Sequence, residues 1–308
     1  MFRQFGVATI LVLPLAGCGP APTAGPLANE ASPIIGGTVD DGDPAVVLVY
    51  GNDPTAGGFL CTGSVIAPRV VLTAGHCTNG NVPLPCAGAA CGVGDPKIYT
   101  VLGGTNPGSA PDWSRAVAEV RVHPDIQLND DGSHDVGVLI LAEDAPVTPL
   151  PWQSAPGDAA YAVGTPFTAV GYGMDSMDPN TANVGTKRSV ALSIRGENPS
   201  RFFFGDDTSN IYEGDSGGPA IANGVVIGTH SYGFADSTGQ LESADMRTDE
   251  NADFIAAAIG ASEREKAKHD SLGCSVADPA APAAAAPLAL LPLLLAAAFT
   301  HRERLFQR

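Results

Sequence analysis

Apolar and polar residues in this chain alternate in short blocks, without a sustained helical repeat. β-branched or apolar runs recur at Ala45 to Tyr50, Val65 to Ile66 with Val70 to Leu72, Tyr99 to Leu102, Ala118 to Val122, Val136 to Leu141, Phe167 to Val170, Val190 to Ile194 and Val225 to Thr229, each set off by turn residues. Runs of this length and spacing predict an all-β domain, either an antiparallel sandwich or a pair of barrels. Only residues 249 to 259 carry a helical face, with Phe254, Ile255, Ala258 and Ile259 on one side. The sequence contains no internal repeat.

The two ends follow other patterns. Arg3, the apolar stretch Val7 to Leu15 and the small residues before Cys18 have the layout of a secretory signal, so residues 1–17 are expected to be lost on export. Leu15-Ala16-Gly17-Cys18 resembles a bacterial lipobox, which implies lipidation of Cys18; an ordinary signal cut a few residues later would instead discard that cysteine. Residues 18–33, rich in Ala, Pro and Gly, cannot bury a core and are read as a lipidated tether or propeptide. At the other end, residues 263–273 are read as a linker. Beyond it, Gly273-Cys274-Ser275 leads to the apolar run Pro287 to Phe299, and Arg302, Arg304 and Arg308 close the chain. The uncharged stretch from Pro279 is about 20 residues long, enough to cross a bilayer with the basic end left on the cytoplasmic side. This layout resembles the myxobacterial C-terminal sorting signal, which implies processing at Cys274 and display on the cell surface through residues 274–308. A plain membrane anchor is the alternative. Both ends place the protein outside the cytoplasm, secreted or on the envelope of a Gram-negative bacterium.

Composition narrows the middle of the chain. A length of 308 residues fits one large β domain or two small ones, and 37 glycines with 26 prolines suit many turns. Formal charge is −17, and residues 34 to 273 hold 12 Lys and Arg against 30 Asp and Glu. A surface of that sign repels phosphate backbones, which excludes nucleic acid as a partner. Cys61, Cys77, Cys86 and Cys91 fall into two close pairs, pointing to two disulfides and an oxidising compartment. Four reduced core cysteines or a metal site are the alternatives, although C-x15-C-x8-C-x4-C does not match the usual zinc spacings.

Four motifs carry chemistry: Ile34-Ile35-Gly36-Gly37, Thr73-Ala74-Gly75-His76-Cys77, His134-Asp135-Val136-Gly137-Val138-Leu139 and Gly214-Asp215-Ser216-Gly217-Gly218-Pro219. A serine hydroxyl is a poor nucleophile at neutral pH and needs an imidazole to take its proton, while a carboxylate orients that imidazole and stabilises its cation. His76, Asp135 and Ser216 supply these three types in the chain order His, Asp, Ser. The four motifs together resemble the trypsin/chymotrypsin family of serine proteases over residues 34 to 262. That resemblance implies two antiparallel six-stranded β-barrels with a C-terminal helix. It also implies a serine endopeptidase working through an acyl-enzyme, without cofactor or metal, on protein or peptide substrates.

The same resemblance assigns supporting roles. The N–H groups of Gly214 and Ser216 form the oxyanion hole. Cys61 and Cys77 form the disulfide beside the histidine, and Cys86 with Cys91 closes a local loop. Ser231, Tyr232 and Gly233 line the substrate cleft. Gly171-Tyr172-Gly173 corresponds to a Gly-Trp-Gly turn of the family. Asp215 receives the α-amino group of Ile34 once an activating protease has cut after Pro33. Three departures matter. Pro33 replaces the basic residue of trypsin-activated precursors. Tyr212 stands where a pocket cysteine is usual. Asn210 stands six residues before Ser216, where trypsin has its specificity aspartate, so uncharged side chains are expected before the cut bond. The competing function, a catalytically silent protease-like binding module on the envelope, would ordinarily have lost a triad residue, and all three are present.

Overall fold

Six strands make the first barrel: Val46–Asp53 (β1), Gly57–Ala67 (β2), Val70–Thr73 (β3), Tyr99–Gly103 (β4), Trp113–Val122 (β5) and Gly137–Leu141 (β6), closed in the order β1-β2-β3-β6-β5-β4. The computed structural model describes residues 34–271, apart from 55–56, 81–84, 130–131, 177, 179, 181 and 236–239. The expected signal, tether and sorting segment, with Cys18 and Cys274, lie outside the described residues.

Six further strands form the second barrel: Pro166–Gly171 (β7), Arg188–Ser193 (β8), Arg201–Phe204 (β9), Pro219–Ala222 (β10), Val225–Ala235 (β11) and Leu241–Arg247 (β12). They pair in the order β8-β7-β10-β11-β12-β9, with Thr38–Val39 added beside β8 and Gly196–Glu197 beside β9. Gly196–Glu197 continues the chain from β8, and Arg195 N donates to Phe203 O at 2.8 Å, so the sheet returns to its own first strand. The expected all-β fold is present, with the first barrel closed by six strands and the second built as one eight-stranded antiparallel sheet, so the expected pair of six-stranded barrels holds approximately. Most strands match the apolar runs, but β9, β10 and β12 were not marked by them.

Each barrel has its own filling. β-branched residues pack the first, among them Val47, Val49, Val65, Val71, Val101 and Leu139. Aromatic rings pack the second, where Phe167 meets Phe204 edge-on with centroids 5.1 Å apart. A third cluster joins them, placing Val46, Leu48, Leu60 and Leu102 against Val170 and Tyr172. The Tyr172 hydroxyl proton faces two carbonyls of the first barrel region, Gly104 O at 2.7 Å and Val46 O at 3.0 Å. The disulfides Cys61–Cys77 and Cys86–Cys91 both form.

Ala252–Ser271 (α1) is the one helix longer than a single turn among the described residues. Ile255 and Ala258 are fully buried against Val70, Leu72, Val138 and Met246, each large apolar side chain contributing about 1.5–3 kcal/mol. The helix corrects the expected boundary: it runs past residue 259 and through most of the segment read as a linker. Its apolar stripe does end near Ile259, but the following Glu, Arg and Lys residues are good helix formers. Lys266 Nζ also reaches Asp144 Oδ2 at 2.5 Å on the first barrel. No helix among the described residues is long and apolar enough to cross a membrane.

Candidate active site

β3 ends at Thr73, and the chain turns at once into a short 3-10 segment, Gly75–Cys77, that carries His76. Two bonds fix this turn from below. Thr73 Oγ1 donates to Thr62 O at 2.7 Å, and Cys77 is tied to Cys61 of β2. Asp135 stands just before β6, the strand paired with β3, so the two residues project from neighbouring strand ends.

The carboxylate of Asp135 uses both oxygens. Oδ1 accepts from His76 N at 2.7 Å, and Oδ2 lies 2.7 Å from His76 Nδ1 and accepts from Ser231 Oγ at 2.6 Å. Burial alone would raise this carboxyl. The charge of His76 and hydrogen bonds from His76 and Ser231 outweigh burial and hold it below the ordinary carboxylate range. Ser231 reaches Asp135 because the β11–β12 register shifts between His230 and Tyr232, leaving Ser231 outside the ladder.

Ser216 comes from the other barrel, at the turn before β10, and is partly exposed between buried Asp215 and buried Gly217. Its carbonyl accepts from Thr62 N at 2.8 Å and lies 3.7 Å from Cys77 Sγ, which places the serine turn directly on the histidine turn. Gly217 makes this approach possible: its φ is +83°, and a Cβ there would lie 2.0 Å from Thr73 Oγ1 and 2.4 Å from Thr62 O. Gly214, also at positive φ (+95°), accepts at its carbonyl from Thr62 Oγ1 at 2.9 Å.

The family model described as Trypsin matches residues 34–255. The chain belongs to the trypsin family. Trypsin of Saccharopolyspora erythraea is 30% identical over 191 residues, covering 58% of this chain and 77% of its own. Mast cell protease 2 of Meriones unguiculatus is 27% identical over 224 residues, covering 66% of this chain and 82% of its own. The solved structure of GrC shares the fold at a TM-score of 0.58 and 23% identity, covering 74% of this chain and 100% of its own. Membership makes this chain a hydrolase, a serine endopeptidase.

The remaining expected residues of the trypsin-family domain fall as follows. Asn210 is buried; its N–H donates to Ile35 O at 3.0 Å and its Oδ1 accepts from Ile211 N at 2.9 Å. Tyr232 is half-buried, with its hydroxyl accepting from Arg201 Nη1, and Gly233 is exposed opposite Ser243 on β12. Ile34 is buried, with φ at +45°. Asp215 is wholly buried and accepts from Gly173 N at 2.8 Å and Tyr212 N at 2.9 Å. Burial pushes its carboxyl up to about 6, with those two bonds and the charge of His230 opposing. Cys61, His76 and Cys77 also cluster as metal ligands do, but the two sulfurs are bonded to each other.

Two features escaped the sequence. Thr62, one residue after Cys61, bonds to Gly214 and Ser216 and accepts from Tyr172 N at 3.0 Å, yet belongs to no motif. His230, which belongs to no motif, is fully buried with Nδ1 2.9 Å from both oxygens of buried Asp245, its register partner on β12. Fifteen residues separate the pair, and no local spacing marks it.

Replacement of Gly217 by Ala forces a Cβ into the Thr62–Thr73 contact at a positive φ. The expected cost is about 2 kcal/mol or more, read as a lower thermal midpoint. An unchanged midpoint would mean that the two turns do not meet as described.

Proposed function

We propose that this trypsin-family protein is a secreted or cell-surface endopeptidase whose triad is His76, Asp135 and Ser216. The observation that carries the reading is the occupancy of His76 Nδ1 by Asp135 Oδ2 at 2.7 Å. With Nδ1 engaged, Nε2 is the nitrogen left to take a proton. Ser216 Oγ attacks the scissile carbonyl while His76 Nε2 accepts its proton, and the N–H groups of Gly214 and Ser216 receive the charge that develops on the carbonyl oxygen. His76 then returns the proton to the leaving amine, and water hydrolyses the resulting ester by the same route. Ser216→Ala should lower kcat/KM by about 10⁴-fold or more without shifting the unfolding midpoint and should abolish labelling by a fluorophosphonate, and His76→Ala should lower kcat/KM by a similar factor. Activity within tenfold of the parent overturns the assignment.

Activation follows from Asp215. The carboxyl is buried, receives two N–H groups and has no hydrogen-bonded basic side chain among the described residues. In our reading, cleavage after Pro33 supplies the missing cation as the α-ammonium of Ile34, through a protease that accepts proline before the cut. Burial of Ile34 and the Asn210–Ile35 bond, which hold that segment against the second barrel, support it. In the unprocessed chain the folded Asp215 titrates near 6, above its ordinary 3.8, so it costs stability as pH rises from about 4 to about 6. The loss is expected in a Ser216→Ala precursor and absent from the protein whose first residue is Ile34 by N-terminal sequencing. Equal pH dependence of unfolding in the two forms refutes this reading. Cleavage there also removes any lipid on Cys18, so surface retention falls to residues 274–308, and C-terminal mapping of the mature protein reports their fate.

Specificity is read from Asn210 and its neighbours. Its amide carries no charge, and Asp206 and Asp207 are engaged: Asp206 Oδ1 accepts from Thr208 N at 2.7 Å and Ser209 N at 3.0 Å, and Asp207 Oδ1 accepts from Leu241 N at 2.8 Å. Asp245 is paired with His230. Two buried polar atoms of β11 and β12, His230 Nε2 and Ser243 Oγ, have no hydrogen-bond partner, which fits a pocket with polar atoms and no unbalanced charge. A peptide library should show uncharged side chains before the cut bond. A profile dominated by Arg and Lys overturns it.

A further inference from the structure

We propose that His134 is a positioning residue for Asp135: its imidazole, bonded to Asn251 and stacked on His123, holds a strained backbone turn that aims the Asp135 carboxylate at His76. The proposal rests on Asp135 being the triad carboxylate.

The turn needs holding. His134 has φ +53°, one of three positive values among the described non-glycine residues, and such a conformation costs about 1–2 kcal/mol. Val136 N closes a tight turn on His134 O at 2.7 Å. The carboxylate that follows His134 serves three donors at 2.6–2.7 Å, so a small rotation of residues 134–136 would loosen all three together.

Two neighbours grip the imidazole. Asn251 is buried at the start of α1, and its Nδ2 donates to Arg247 O at 2.7 Å. A carbonyl can only accept, so that bond fixes which way the amide points, and Oδ1 faces His134 Nδ1 at 2.9 Å. His134 Nδ1 therefore carries the proton and donates. Asn251 is itself anchored, its N–H donating to Thr248 O at 3.2 Å and its carbonyl accepting from Ile255 N at 3.1 Å. The position of the catalytic loop is thus set by the first turn of the C-terminal helix.

On its other side His134 stacks on His123, with centroids 4.4 Å apart and ring planes 11° apart. His123 is fixed by its own N–H, which donates to Val136 O at 3.0 Å, and by Phe254 of α1 at 4.9 Å. Its Nδ1 accepts from Asp125 N at 3.2 Å, so that nitrogen has no proton. Burial and the neighbouring His134 push this imidazole down to about 4, with Asp125 opposing, so His123 presents a neutral ring to its neighbour at physiological pH. Asp249, Glu250 and Asp253 line the cavity shared by His123 and Asn251, and Asp249 is paired with Arg247.

His134→Gly separates positioning from folding. Glycine accepts the positive φ without strain and removes the imidazole, so the fold should persist. In the processed enzyme, with rates normalised by active-site titration, kcat should fall by about 10- to 100-fold with KM within about twofold, as expected for a displaced catalytic group. The acid limb of kcat/KM should move to lower pH by about half a unit or more, because a loosened Asp135 stabilises the His76 cation less. Asn251→Ala should act the same way and replaces His134→Gly if that variant does not fold. Unchanged kcat per titrated site, or an unmoved acid limb, overturns the proposal. Asp135→Asn is run alongside: its retention of activity would defeat the triad reading itself, whereas its loss beside an unaffected His134→Gly defeats the positioning role alone.

Discussion

Thr62 gives its N–H and its hydroxyl to the second barrel while it sits on a strand of the first. It donates to the carbonyls of Ser216 and Gly214 and receives the N–H of Tyr172, over 2.8–3.0 Å. His76 and Asp135 belong to one barrel and Ser216 to the other, so no strand ladder sets the distance between the histidine and the serine. This short seam does, reinforced by the Cys61–Cys77 bridge below it and the Tyr172 hydroxyl beside it. A buried seam made of saturated donors and acceptors has few alternative arrangements, because each broken bond strands a polar group away from water.

Asp135, Asp215 and Asp245 lie fully buried within this framework, and their partners set what each can do. Asp135 has an imidazole and a hydroxyl and stays ionised. Asp245 has the imidazole of His230, although burial still pushes it upward. Asp215 has only backbone N–H groups, and burial pushes it upward as well. The sequence gives all three the same letter. What distinguishes them is which strand end each meets across the barrel.

Much of the molecule was legible from residue pattern because the first barrel is filled with β-branched side chains on short strands. The second barrel hid more. On β12 the buried residues include Ser243, Asp245 and Arg247, so the inward face is polar and hydrophobicity cannot mark it. β10 is only four residues long and opens with proline directly after the serine turn. The helix was seen where its apolar stripe runs and missed where charged residues continue it. In the site, the motif residues were readable by type, whereas the contacts of Thr62, Asn251 and His230, and that of His134 with Asn251, join residues far apart along the chain.

Ile34 bears on how such a molecule keeps a decision once made. It is a β-branched residue held at φ +45° while wholly buried, a twist worth about 1–3 kcal/mol. That torsion is defined by the carbonyl carbon of the preceding residue. In the activation proposed above, hydrolysis of the bond before Ile34 would delete this atom from the angle, so the twist would disappear with the same event that creates a charge for Asp215. Rejoining the ends would have to restore the twist and bury an anion without its cation. On that proposal the junction would work as a ratchet, with the backward step blocked by geometry as well as by electrostatics.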